Sequence, residues 1–233
     1  MKQVFSFVLL LFLVAGMASY AQNPYFGVKA GLNLSHMVLK NNDTKFTNAL
    51  NISPGFNAGL TMDYRIIPEL TINASLLISN KGYLKTSKED FQGASIKSIE
   101  RLSLYYVEFP LYVKYEFQLR MVDVFAGAGP FVSYGYWGKY RWQRKGGGET
   151  EWGKSDVLWG ENPEEDDFVN LDYGAGITVG GKWNNFVLDI GYHYSIPNIS
   201  ANTDNGMYAR NGVLFASVSY FFSRFYKYAE GNF

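Results

Sequence analysis

Few residues of this chain could carry chemistry, and they fall into three sets. His193 and Ser195 stand two apart in YHYSIPN, a spacing that puts both on one face of a strand. An imidazole within hydrogen-bond reach of a hydroxyl is the minimum for an activated nucleophile, so the pair raises hydrolysis. A second set is ionic: Lys29, Asp63, Arg65, Glu108, Lys114, Glu116, Asp172, Lys182 and Asp189 recur in period-two rows. Such groups could relay protons, hold a ligand or neutralise one another. The third set lies in RWQRKGGGETEWGKSDVLWGENPEEDD, which opens on Arg141, Arg144 and Lys145, closes on Glu161 and the acids at 164–167, and carries Trp142, Trp152 and Trp159. Exposed Trp and Arg anchor binding surfaces. The alternative for this stretch is that its charged ends pair across a hairpin while its tryptophans pack on one another. His36 stands apart, as a surface residue rather than a metal ligand.

The elements that position these residues read as strands. YVEFPLYVKYEF places Val107, Phe109, Leu111, Val113, Tyr115 and Phe117 on one face and Glu108, Pro110, Tyr112, Lys114 and Glu116 on the other. Seven further segments alternate in the same way, beginning with FGVKAGLNL, FNAGLTMDYRI and LTINASLLIS. They continue with DVFAGAGPFVSYGYWGKY, LDYGAGITVGGKW, FVLDIGYHYSI and VLFASVSYFF. The glycines of the first of these leave its facing open. Pro110 cannot donate a ladder hydrogen bond, so a bulge or bend is expected there.

The connections alternate in length. Short ones lie near residues 67–69, 118–121 and 184–185; long polar ones cover about 40–53, 84–101, 142–167 and 197–210. Eight strands with short turns at one end and long loops at the other make an antiparallel up-and-down barrel. The leader MKQVFSFVLLLFLVAGMASYAQ has a basic start, an apolar stretch and a small-x-small site, so residues 1–21 read as a cleaved signal peptide and 22–233 as one barrel domain.

Composition narrows the class. The 233 residues carry 21 basic and 21 acidic side chains, which gives no argument for a nucleic-acid partner. The absence of Cys removes disulfides, thiolate metal sites, cysteine nucleophiles and a lipidated N-terminal cysteine. No cofactor motif occurs.

Two exported eight-stranded barrels fit this pattern, a soluble one and a membrane one. The polar rows decide between them. They are rich in Gly, Ser, Thr and Asn, with sparse charges of both signs, which suits a crowded interior better than a water-facing wall. The apolar rows run for about ten residues and end in aromatics: Tyr64, Tyr115, Phe117, Trp183, Tyr220 and Phe222 near the short turns, Tyr134, Tyr136, Tyr192 and Tyr194 toward the long loops. Apolar bands with aromatic girdles are expected of barrels in lipid.

FGVKAGLNLS, YVEFPLYVKYEF and YHYSIPNIS followed by an aromatic-ended strand resemble the PorT-like outer-membrane β-barrel family, common in Bacteroidota and often labelled porin family proteins. The resemblance spans the mature chain; its most specific piece is apolar-Glu-apolar-Pro-Leu with a later Lys-Tyr. It implies location in the outer membrane, contact with outer-membrane lipid, and insertion by the assembly machinery. Residues 223–233 are a departure, since such chains commonly stop at the terminal aromatic, here Phe222.

An eight-stranded barrel has room only for its own side chains. The ionic residues are therefore expected to fill the lumen as a network. The role that follows is structural or interactive (surface binding, envelope integrity or secretion accessory), without catalysis, with an extracellular or envelope protein as partner. The residues proposed for contact are Arg141, Trp142, Arg144, Trp152 and Trp159. A hydrolase acting on lipid through His193 and Ser195 is the first alternative, although Ile196 and Pro197 replace the small residues that follow such a pair in an outer-membrane lipid A deacylase. A small-solute channel is the second.

Overall fold

The computed structural model describes residues 24–43, 50–91, 94–146 and 149–223, apart from the side chains at 50 and 89–95. The leader and the tail from 224 onward lie outside these residues. Ten strands form one sheet: β1 (Tyr25–Lys40), β2 (Leu50–Asn51), β3 (Ser53–Ile67), β4 (Leu70–Phe91), β5 (Ala94–Gln118), β6 (Asp123–Gly146), β7 (Glu149–Asp156), β8 (Leu171–Trp183), β9 (Phe186–Ser195) and β10 (Tyr208–Phe221). Eight of them close a ring in the order β1-β3-β4-β5-β6-β8-β9-β10, every neighbour antiparallel. β2 and β7 are short additions on β4 and β6. This is the eight-stranded up-and-down barrel that the alternation implies.

Closure leaves each side chain either inside the ring or outside it. Along β8, Ile177 is 63% exposed and its neighbour Thr178 only 2%. Across the wall, Leu32, Leu60, Val113, Val179, Leu188 and Val218 all point out and are exposed. A contiguous apolar belt around a whole molecule is far larger than a soluble monomer shows, and lipid is the solvent that accepts it. No helix among the described residues is long and apolar enough to cross a membrane; the strands cross instead.

The wall is uneven in height. β9 has 10 residues, whereas β4, β5 and β6 have 22, 25 and 24. Within the stretch 84–101, which reads from sequence as a loop, residues 84–91 and 94–101 are instead the upper parts of β4 and β5, paired from Leu84↔Arg101 to Phe91↔Ala94. Residues 142–146 likewise continue β6, and 149–156 pair back on it as β7. Hydrogen bonding carries on past the membrane while the apolar alternation stops, because water lies on both faces there. The expected bulge at Pro110 is absent: Pro110↔Phe131 and Val113↔Ala128 keep one register. A proline in extended backbone costs the ladder a donor without inserting a residue. The register shift falls higher, between Tyr105 and Tyr106, and a second one lies at Arg65/Ile67.

Candidate functional site: a filled lumen and a covered mouth

The lumen is built in layers from the short-turn end upward. Tyr25, Phe125, Val187 and Phe221 form an apolar floor. Above it, the Lys182 ammonium bridges Asp63 at 2.9 Å and Glu116 at 2.5 Å. Lys114 meets Asp63 at 3.4 Å and Arg65 meets Glu116 at 3.4 Å. Lys29 pairs with Asp189 at 2.6 Å. An amide layer follows: Asn57 Nδ2 donates to Asn33 Oδ1 at 2.8 Å, and Asn33 Nδ2 donates to Ser79 Oγ at 3.0 Å. The upper layer holds an ion pair of Lys81 with Glu108, with Asp172 3.8 Å from the same ammonium.

All nine residues of the sequence-defined ionic set are therefore inside, each no more than 7% exposed. Lys81 belongs with them and lies beyond Ser79, where the alternating segment LTINASLLIS ends. Counted together, the cations Lys29, Arg65, Lys81, Lys114 and Lys182 face the carboxylates Asp63, Glu108, Glu116, Asp172 and Asp189. Buried charges are tolerable only when compensated in this way.

Glycines of the polar rows make room for rings. A Cβ on Gly176 would stand 2.6 Å from His193 Cδ2 and 2.7 Å from the Tyr112 hydroxyl; one on Gly174 would meet the Phe131 ring at 2.8 Å. This fixes the facing of the glycine-rich β6 segment, with Phe125 and Phe131 inward. A gap of about 10 Å³ lies among these side chains, lined by Lys29, Asn33, Glu108, Tyr112, His193 and Phe215 among others. That is room for about one water.

His193 and Ser195 share the inner face but not a hydrogen bond. His193 Nε2 contacts the Tyr112 hydroxyl and Nδ1 lies 3.2 Å from Glu108, while Ser195 Oγ donates to Asp172 Oδ2 at 3.0 Å. Both are buried. His36 sits outside the wall, half-buried and stacked on Tyr192 at 6.1 Å.

The long-loop end is corked. Met37, Leu102, Leu104, Tyr106, Val157, Ile199 and Ala209 form a buried cluster, with Leu39, Tyr83, Tyr140, Trp159 and Phe168 packed against it. Segments after β7 and β9 cross this end, joined by bridges Trp159↔Phe168 and Phe168↔Ser200. Above the cork opens a vestibule of about 740 Å³, with Tyr83, Tyr140, Val157, Phe168 and Met207 as apolar lining and 164–167 with Asp204 as acidic lining. Burial, and then the Glu100 carboxylate, pushes the Tyr83 phenol up to about 12. Burial and a hydrogen bond to Glu100 raise Tyr140 too.

The five residues proposed for contact separate. Trp142 lies against Gly153 on the inner face of the β6–β7 hairpin, with Arg144 on the same face; Arg141 and Trp152 take the outer face. Trp159 corrects the sequence reading, since it is held edge-on to Tyr106 at 5.5 Å inside the cork. Nor do the two charged ends meet among the described residues. Asp167 Oδ2 instead accepts from the Leu158 N–H at 2.9 Å, and Asp166 Oδ2 from the Asn162 N–H at 2.9 Å.

The family model described as outer membrane protein beta-barrel domain matches residues 20–201. The chain belongs to that family. Its location is accordingly the outer membrane, with the apolar belt in the hydrocarbon and the ion pairs within. Solved structures similar to this barrel include Ail, the attachment invasion locus protein of Yersinia pestis, 14% identical, covering 86% of this chain and 100% of that chain at a TM-score of 0.36. Neisserial surface protein A is 18% identical over 86% and 100%, at 0.37. OprG from Pseudomonas aeruginosa is 10% identical over 87% and 97%, at 0.39. No match is found among curated proteins.

Proposed function

We propose that this outer-membrane barrel is a surface-interaction protein that neither conducts nor catalyses, and that its working part is the vestibule above the cork. The observation that carries this reading is the lumen filled by buried ion pairs, where the gap beside Lys29, Glu108 and His193 is about 10 Å³ against about 740 Å³ at the mouth. A binding surface on loops over a rigid scaffold is a common division of labour. Short turns are periplasmic and long connections extracellular in such barrels, so the vestibule faces the outside. A protein of the cell surface or the envelope is the partner class; envelope integrity or accessory work in secretion would use the same contact. The narrower PorT-like assignment rests on the YVEFPLYVKYEF motif, and removal of residues 1–21 belongs to the same reading.

Crosslinking tests it. The chain has no cysteine, so a photo-crosslinker on Asn202→Cys, at the vestibule, is unique. It is expected to capture a discrete partner in intact cells, and a label at Leu188→Cys in the wall is not. Equal capture from both sites would refute the reading. The two alternatives have tests of their own. Purified protein in a planar bilayer is expected to leave conductance at baseline, and steady single-channel steps would make it a channel. Lipid A from cells is expected to keep its mass whether the protein is wild-type or His193→Ala. A mass shift abolished by that substitution would make it a hydrolase.

A further inference from the structure

Above the girdle, β5, β6 and β7 stand side by side with water on the outer face and, past the cork, on the inner face as well, and their charges are sorted. Directly opposed residues share a face, so the register defines two rows on the outer side. Arg101↔Arg141↔Lys154 is the lower row and Lys97↔Lys145 the upper, with Trp152, 72% exposed, between them. Glu100, Glu149 and Glu151 fall on the other face, with Trp142 and Arg144. Among the described residues of these three strands, the outer face above the girdle keeps one carboxylate, Asp156, which lies 3.7 Å from Lys139.

Like charges abreast in a sheet destabilise it unless an anion intervenes. Among the described residues, Arg141, Lys145, Lys154 and Lys97 have no carboxylate within 4.0 Å. Arg101 donates to the Pro54 carbonyl at 3.0 Å, and its buried Nε–H has no acceptor. Position selects the anion. Tyr105 and Trp137 lie ring against ring on the outer face, 4.5 Å apart and tilted by 31°, and continue the aromatic girdle. Arg101 and Arg141 stand four residues further along their strands, about 13 Å at the rise of an extended chain. Because barrel strands tilt by about 35–45°, this is about 10 Å above the girdle, on the headgroup side of the interface, where the phosphates of the outer leaflet lie.

We propose that the outer face of the β5–β6–β7 sheet, centred on Arg101, Arg141 and Lys154, seats the phosphate of an outer-leaflet glycolipid of the lipid A type. Guanidinium pairs hold phosphate through paired N–H donors, and Trp152 lies against the sugar beside it. The inference rests on the lipid-embedded, loops-outside orientation above. It is separate from the vestibule, which opens on the other face.

Full-length protein in detergent micelles is titrated with bisphosphorylated lipid A and with its dephosphorylated form, and retained lipid is counted by native mass spectrometry. Wild-type protein is expected to retain the phosphorylated form at least tenfold more tightly. Arg101→Gln/Arg141→Gln/Lys154→Gln is expected to lose that preference, and the inner-face pair Lys85→Gln/Arg144→Gln to keep it. Heat-modifiable migration on gels verifies that each variant is a folded barrel. Equal binding of both lipids by wild-type protein overturns the proposal, as does a folded triple variant that retains the preference. Tighter binding of soluble polyglutamate than of lipid A would assign the row to an acidic protein and also overturn it. An intact-cell label that fails to reach Trp152→Cys would refute the orientation instead, which separates the two failures.

Discussion

The lower wall and the tall hairpins above it are one continuous ladder in two solvents. Below the girdle, lipid outside and ion pairs inside force strict alternation: Ile177 is exposed and Thr178 buried, Val113 exposed and Lys114 buried. Above it, β4, β5 and β6 keep their hydrogen bonds, but Lys97, Arg144 and Lys145 are exposed whichever face they take. Substitutions should therefore be costly in the lower part, through charge and packing, and cheap in the upper part.

The sharpest break in that contrast would come from the floor of the lumen. Lys182→Met leaves Asp63 and Glu116 without their shared ammonium, and breaking a buried pair costs about 3–5 kcal/mol. Urea unfolding in lipid vesicles should show a loss of that size. A smaller loss, about 1–3 kcal/mol, is expected for Gly176→Val, because the new side chain enters the space of His193 and the Tyr112 hydroxyl. The smallest is expected in the hairpin: Arg144→Ala should change stability by no more than about 0.5 kcal/mol, as is usual for exposed sites. If Arg144→Ala costs as much as Lys182→Met in the same assay, the two regions do not differ as described.

The same contrast decides what could be read from the chain. In the lower wall, period two placed all nine ionic residues on the inner rows, because lipid on the outside allows no polar residue there. Lys81 escaped because Asn80-Lys81-Gly82 reads as the end of a strand, whereas β4 continues past Gly82, whose φ of 147° suits glycine. The glycines of β6 hid the facing of Phe125 and Phe131, since a ring seated over a neighbour's glycine leaves no local signal. Past the cork two wet faces erase alternation, and two hairpins read as loops. Trp159 reads as a surface residue because only the tertiary bridge to Phe168 and the ring contact with Tyr106 place it in the cork.

The central claim is that the apolar flank meets lipid while the charged flank is sealed inside. Single cysteines at Leu188, Ile190, Ser217 and Val218, each carrying a nitroxide in lipid vesicles, test it directly, since the chain has no cysteine of its own. Labels at Leu188, Ile190 and Val218 should collide readily with lipid-dissolved oxygen and poorly with a water-soluble nickel complex, and the label at Ser217 should be shielded from both. Free nickel access at Ser217, or protection from oxygen at the three wall positions, would contradict the account.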